Sequence, residues 1–142
     1  MIPRRRPALL VALVAAAALA CGPSEPSTDY RAYTDDFAFR ISTSPMPPHA
    51  REKTLYKVVV RDKKTGQPIE NGEGRIFAST REGASTWDSF TPGPELGTYY
   101  ATLNFVVAEN WAVALQFRRD STQRLERADW MQEVLPERAG TP

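Results

Sequence analysis

The chain has 142 residues, 42% of them hydrophobic and 25% charged, with 18 Lys+Arg, 17 Asp+Glu and one cysteine. That length bounds it to one ordinary domain, and the lone cysteine excludes an internal disulfide. The near-neutral balance gives no electrostatic case for nucleic acid, whose phosphates reward a basic face.

The N-terminal part reads as a leader. Arg4, Arg5 and Arg6 form a basic start, and Ala8 to Ala20 is an apolar run of 13 residues. A helix needs about 20 residues to span a bilayer, so this run fits the core of a secretory signal peptide. It ends in Ala18-Leu19-Ala20-Cys21, which resembles a bacterial lipobox. That resemblance implies lipidation of Cys21 and cleavage before it, so that the chain is held on a membrane. Two or more acyl chains anchor a protein stably, whereas one binds marginally. Without residues 1–20 the count becomes 15 basic against 17 acidic residues, formally −2 over 122 residues. Residues 21–34 are expected as the lipidated cysteine and a flexible tether, because Gly22 to Thr28 is rich in Pro and Ser and lacks an apolar period.

Strand signals follow in order. Phe37, Phe39 and Ile41 alternate with polar or small residues and predict the first strand. Ser42 to Ala50 holds three prolines and reads as an exposed loop. Thr54 to Arg61 predicts a central strand with Tyr56, Val58 and Val60 on one side and Leu55, Lys57 and Val59 on the other. In Asp62 to Ile69, Gly66 supplies a positive φ, Pro68 ends pairing and Ile69 returns to the core. Arg75 to Thr80 is a short strand, and Trp87 to Thr91 a strand or bulged edge.

Gly97 to Phe117 carries the longest alternation. Tyr99, Ala101, Leu103 and Phe105 form one apolar row, and Trp111, Val113, Leu115 and Phe117 another. They read as two antiparallel strands of one hairpin, with Trp111 in the core. Arg124 to Val134 permits helix or strand, and the missing partner beside Trp111–Phe117 favours strand. Turn signals recur about every 8 to 12 residues, as in a sandwich. The expected fold is an all-β, immunoglobulin-like antiparallel sandwich of about seven strands over residues 35–135, with a disordered tail at 136–142.

Several of these features resemble the YtkA-like domain of bacterial envelope proteins, related in pattern to the FixH group. The resemblance is carried by Asp62 to Ile69 (D-x-x-T-G-x-P-I), by Gly97-Thr98-Tyr99 to Phe105 (G-x-Y and an apolar alternation), and by Trp111 to Phe117. It covers about Asp35 to Val134 and implies an immunoglobulin-like sandwich in the cell envelope. The family often has Gly before the Trp, where this chain has Asn110, a residue tolerant of the left-handed region. The family's methionines between the Arg75 strand and Gly97 are absent, and Trp87 stands in that region.

No inventory of catalytic groups emerges. His49 is the only histidine and lies in the proline-rich loop. No G-x-S-x-G elbow, H-E-x-x-H or C-x-x-C is present. The adjacent Asp35 and Asp36 would face opposite sides of a strand. Met46 and His49 are candidate copper ligands, since thioether plus imidazole suits copper, with Met131 or a partner completing the set. Trp87 and Trp130 are candidate anchors for an envelope protein partner. The expectation is a membrane-anchored, non-catalytic binding or accessory lipoprotein facing the periplasm or the outside. The alternative is a lipoprotein for copper handling or respiratory-complex assembly.

Overall fold

A computed structural model describes residues 29–140. Cys21, the expected signal peptide and most of the expected tether lie outside the described residues. The described chain is all-β, with nine strands in two antiparallel sheets that form a sandwich. The strands are β1 (Tyr30–Tyr33), β2 (Phe37–Ser44), β3 (Lys53–Asp62), β4 (Glu73–Ser79), β5 (Ser85–Ser89), β6 (Thr91–Pro92), β7 (Thr98–Asn104), β8 (Asn110–Arg118) and β9 (Glu126–Glu133). One sheet has the order β1-β2-β3-β7-β6 and the other β5-β4-β8-β9.

Alternation places the core as expected. Tyr56, Val58 and Val60 are fully buried on the inner side of β3, while Leu55 is exposed. Tyr99, Ala101, Leu103 and Phe105 point inward from one sheet, and Trp111, Val113, Leu115 and Phe117 from the other. The 124–134 segment forms strand β9, paired along β8 from Asn110–Glu133 to Phe117–Glu126.

The expected hairpin between the two apolar rows does not form. β7 pairs with β3 and β6, whereas β8 pairs with β4 and β9. The residues between them carry the chain from one sheet to the other. Alternation fixes which side of a strand is buried, not which strand lies beside it. Both rows meet across the core instead, with Phe105 and Trp111 packed edge-on at 5.1 Å. A second crossing runs through Phe90, between β5 of one sheet and β6 of the other.

Four local expectations change. The strand β1 lies within 21–34, the stretch expected as tether, because Tyr30 to Tyr33 pairs with Ile41 to Ala38. The tail expected to be disordered from residue 136 is held at its start. Leu135 exchanges hydrogen bonds with Pro48 and Ala50, and Arg138 makes two bonds to Glu52 at 2.9 and 2.7 Å. The same contacts bury Pro48 and Ala50, so the 42–50 loop is exposed only in part. Asn110 opens β8 without a left-handed backbone. Among the described non-glycine residues, Arg51 (φ 61) and Asn71 (φ 56) have that conformation.

The Asp62–Ile69 turn forms around the expected glycine, with Gly66 at φ 73 and Ile69 buried. Pro68 does not end pairing: it bridges Arg61, and the Ile69 N–H donates to Val60 O at 3.0 Å, because proline's missing N–H leaves its neighbours free to pair. The N–H groups of Thr65 and Lys64 donate to the Asp62 carboxylate at 2.8 Å each, and Arg119 pairs with it. The Thr65 bond leads the effects that hold Asp62 below the usual 3.8. The depressed value means that its stabilisation is present above 3.8 and lost as pH falls through the folded value. Asp62→Asn is therefore expected to flatten the acid limb of the stability curve below about pH 4, read by urea unfolding at stepped pH. An unchanged limb would remove Asp62 from the acid sensitivity.

Close packing at the turn after Ile69 gives a second expectation. A Cβ on Gly72 would lie 2.1 Å from Cζ of the buried Phe117 ring. Gly72→Ala should lower stability by about 1–3 kcal/mol, measured by urea unfolding. A loss near zero would mean that the ring moves aside freely.

Candidate functional site

The two sheets align so that β1 and β9, both edge strands, lie on the same side of the sandwich. A groove of about 490 Å3 opens between them. Its lining joins Asp29 and Tyr30 at the start of β1, Ile41 and Thr43 on β2, Met46 and Pro47 just past it, and Trp130 to Glu133 on β9. Tyr30 and Trp130 stack across the edges with centroids 5.5 Å apart, and Trp130 also reaches the buried Tyr56 at 6.4 Å. Trp130 is half-buried, so one side of its indole belongs to the core and the other to the groove. Met46 and Met131 are exposed there, at 47% and 65%.

Polar groups at the groove are mostly engaged. The Ser42 hydroxyl donates to Asp29 at 2.8 Å and Arg40 pairs with the same carboxylate. The Ser42 bond, followed by that of Arg40, holds Asp29 below the usual carboxylate range. Gln132 is buried and donates to the Glu133 carbonyl at 2.9 Å. Behind Trp130 the Tyr56 hydroxyl is buried without a hydrogen-bond partner, and burial pushes its pKa well up. An unpaired buried hydroxyl costs stability, so this end of the core is less tightly satisfied than the rest.

The residues singled out from the sequence separate in space. Met46 enters the groove, where the structure brings it together with Met131 and Trp130. His49 does not line it. The His49 Nδ1–H donates to the Pro136 carbonyl at 2.9 Å, and His49 bridges Leu135. Trp87 stands elsewhere, on the outer face of β5, opposite Phe77 and 65% exposed. Trp111 is fully buried, and its indole N–H donates to Val107 O at 3.1 Å. Arg118, Arg119 and Arg127 pair with Glu73, Asp62 and Asp129. Among the described residues, no group of three or more His, Cys, Asp or Glu is placed to hold a metal ion. The soft donors of the groove are its two thioethers.

Asp29 and Tyr30, with Thr43, Pro47, Gln132 and Glu133, are groove residues that the sequence does not single out. The signal for Tyr30 is the four-residue run Tyr30 to Tyr33, too short to stand out beside a tether.

No family model matches the sequence. No curated protein matches it either. Solved structures do share its architecture. A DUF4426 family protein from Pseudomonas aeruginosa PAO1 superposes with a TM-score of 0.59 at 14% identity, over 78% of this chain and 97% of that one. A copper-bound variant of FetP from uropathogenic Escherichia coli strain F11 superposes with a TM-score of 0.45 at 10% identity, over 75% of this chain and 88% of that one. The first likeness speaks for the β-sandwich fold alone. The second overlaps too little to carry anything over.

Proposed function

We propose that this chain is a lipid-anchored lipoprotein of the bacterial cell envelope whose β-sandwich is a non-catalytic binding and accessory module, of YtkA-like type. The anchor is Cys21, supported by the basic start, the apolar run and the small residues before the cysteine. The YtkA-like reading is supported by the Asp62–Ile69 turn, whose glycine and isoleucine take the roles that pattern gives them.

The groove carries the binding reading. It is lined by Tyr30, Met46, Trp130 and Met131 and flanked by two sheet edges. Aromatic and thioether side chains give contact area that adapts to a partner. Free sheet edges offer backbone groups to an extended segment. The occupant this suits is a strand-like segment of an envelope protein. Trp87, on the far edge strand, is a second anchor point.

In-cell cross-linking through the intact lipoprotein tests this reading. One dominant protein partner is expected, lost in Cys21→Ser and weakened about tenfold by Trp130→Ala. If no partner is captured while the protein still fractionates with membrane, the binding-module reading fails. If Trp87→Ala weakens capture and Trp130→Ala does not, the groove is the wrong surface.

A second reading, copper handling or support of respiratory-complex assembly, is favoured by one observation: Met46 and Met131 line the same groove. Paired thioethers suit Cu(I). Native mass spectrometry of the purified chain with stoichiometric Cu(I) should then show one bound ion, lost in Met46→Leu and kept in His49→Ala. A wild-type chain that retains no copper would end it.

A further inference from the structure

Side chains alternate across a strand, so the pairing assigns each residue of the five-stranded sheet to one face. The outward positions of β1, β2 and β3 include Arg31, Arg40, Lys53, Lys57 and Arg61. No Asp or Glu occupies an outward position of β1, β2, β3, β6 or β7. The other sheet differs. Its outward face sets Arg75, Arg118 and Arg127 against Glu73, Asp129 and Glu133. Two of those pairs are closed, Arg118 with Glu73 at 2.6 Å and Arg127 with Asp129 at 2.7 Å. One broad side of the sandwich is thus cationic and the other neutral.

Acids at the margin offset part of this charge. Asp29 pairs with Arg40, and Glu95 lies 3.6 Å from Lys57. Arg31, Lys53 and Arg61 form no ion pair among the described residues. Arg31 sits directly opposite Arg40 across the β1–β2 pair. Like charges so placed repel, and the Asp29 carboxylate, paired with Arg40, offsets only part of that repulsion. With Tyr33 and Arg61 they border a shallow cup of about 230 Å3.

We propose that this face rests on an anionic phospholipid bilayer, the same membrane that holds Cys21. The proposal rests on the lipoprotein reading and adds an orientation to it. Eight residues lead from Cys21 to Asp29. Fully extended they span at most about 26–29 Å. They enter β1, an edge strand of the cationic sheet itself, so that sheet stays close to the membrane plane. Each basic residue near an anionic surface strengthens association about fivefold. Tyr33 and Leu55, both exposed on this face, suit the headgroup layer. The face is a broad sheet surface rather than a channel, which fits a planar partner better than a strand of nucleic acid.

The test uses the full lipidated chain in phosphatidylcholine vesicles, with or without about one-third phosphatidylglycerol. A single thiol is introduced by Thr102→Cys on the cationic face or by Ser89→Cys on the opposite one. The readout is its rate of reaction with a neutral, water-soluble maleimide. On anionic vesicles the Thr102→Cys thiol should react at least about fivefold more slowly than on neutral ones. Salt at about 0.5 M should restore the rate, and so should joint replacement of Arg31, Lys53 and Arg61 by Gln. The Ser89→Cys rate should not change. Equal rates on both vesicle types, or equal protection of both faces, would overturn the proposal. So would protection of Thr102→Cys by dissolved polyphosphate and not by anionic vesicles, which would assign the face to a soluble polyanion. If the chain fails to float with neutral vesicles, the anchor reading fails separately. Salt-sensitive flotation with anionic vesicles, lost in the triple Gln variant, then decides the face: its presence supports the proposal and its absence overturns it.

Discussion

The ring of Phe117, on the four-stranded sheet, meets Phe37 and Tyr99 of the five-stranded sheet edge-on, each with centroids 5.1 Å apart. Phe39 joins at 6.0 Å, and Phe90 closes the group at 6.5 Å from the point where the chain crosses between sheets. Edge-to-face pairs of this kind add about 0.5–1.5 kcal/mol each beyond the area they bury. The Tyr99 hydroxyl donates to Ile69 O at 2.7 Å and accepts from Gly72 N at 2.9 Å, which ties the β3–β4 connection to the same knot. With β2, β7 and β8 fixed against one another, the offset of the two sheets is fixed too. That offset leaves β1 and β9 as neighbouring edges, and the groove between them follows from it.

The molecule therefore presents unlike surfaces. Its groove is apolar with thioethers and aromatic rings, its five-stranded sheet is cationic outside, and its four-stranded sheet carries balanced charges. On that last face Phe77 lies under the guanidiniums of Arg75 and Arg127, with centroid distances of 5.4 and 5.1 Å, next to the exposed Trp87. A domain whose sides differ in this way has a preferred orientation in an ordered surrounding. In the proposed envelope setting, one face meets lipid while the edge and the far face remain open to a protein.

Much of the core was legible because period-two alternation has one cause, a strand with one buried side. The rows at Tyr56–Val60, Tyr99–Phe105 and Trp111–Phe117 are all where the alternation placed them. Partnership was not legible. The two long rows face each other across the core instead of sharing a hairpin, and no local signal distinguishes those arrangements. The β1 strand was hidden by its length, and the docking of Leu135 by its dependence on a distant loop. Met46 and Met131 lie far apart in sequence and line one groove only because the end of β2 and the strand β9 both border it. The cationic face was invisible to a net charge near zero, since that sum ignores which side of each strand a residue occupies.

The four-residue strand β1 also has a mechanical meaning. In the proposed anchored state, any pull between membrane and partner is transmitted through the chain that enters at Asp29. Load would fall first on the Asp29 carboxylate and its two holders, Ser42 and Arg40, and then on the Tyr30–Ile41 pairing. The antiparallel β1 is pulled from its free end, so its pairings would part in sequence and not all at once. Behind it, β2 is held on β3 by eight successive pairings, twice the length of the first zipper. The sandwich thus has a weak link at its point of attachment. Its yielding would lengthen the leash by at most about 17–18 Å, the reach of Asp29 and the four residues of β1, while the aromatic knot stayed closed.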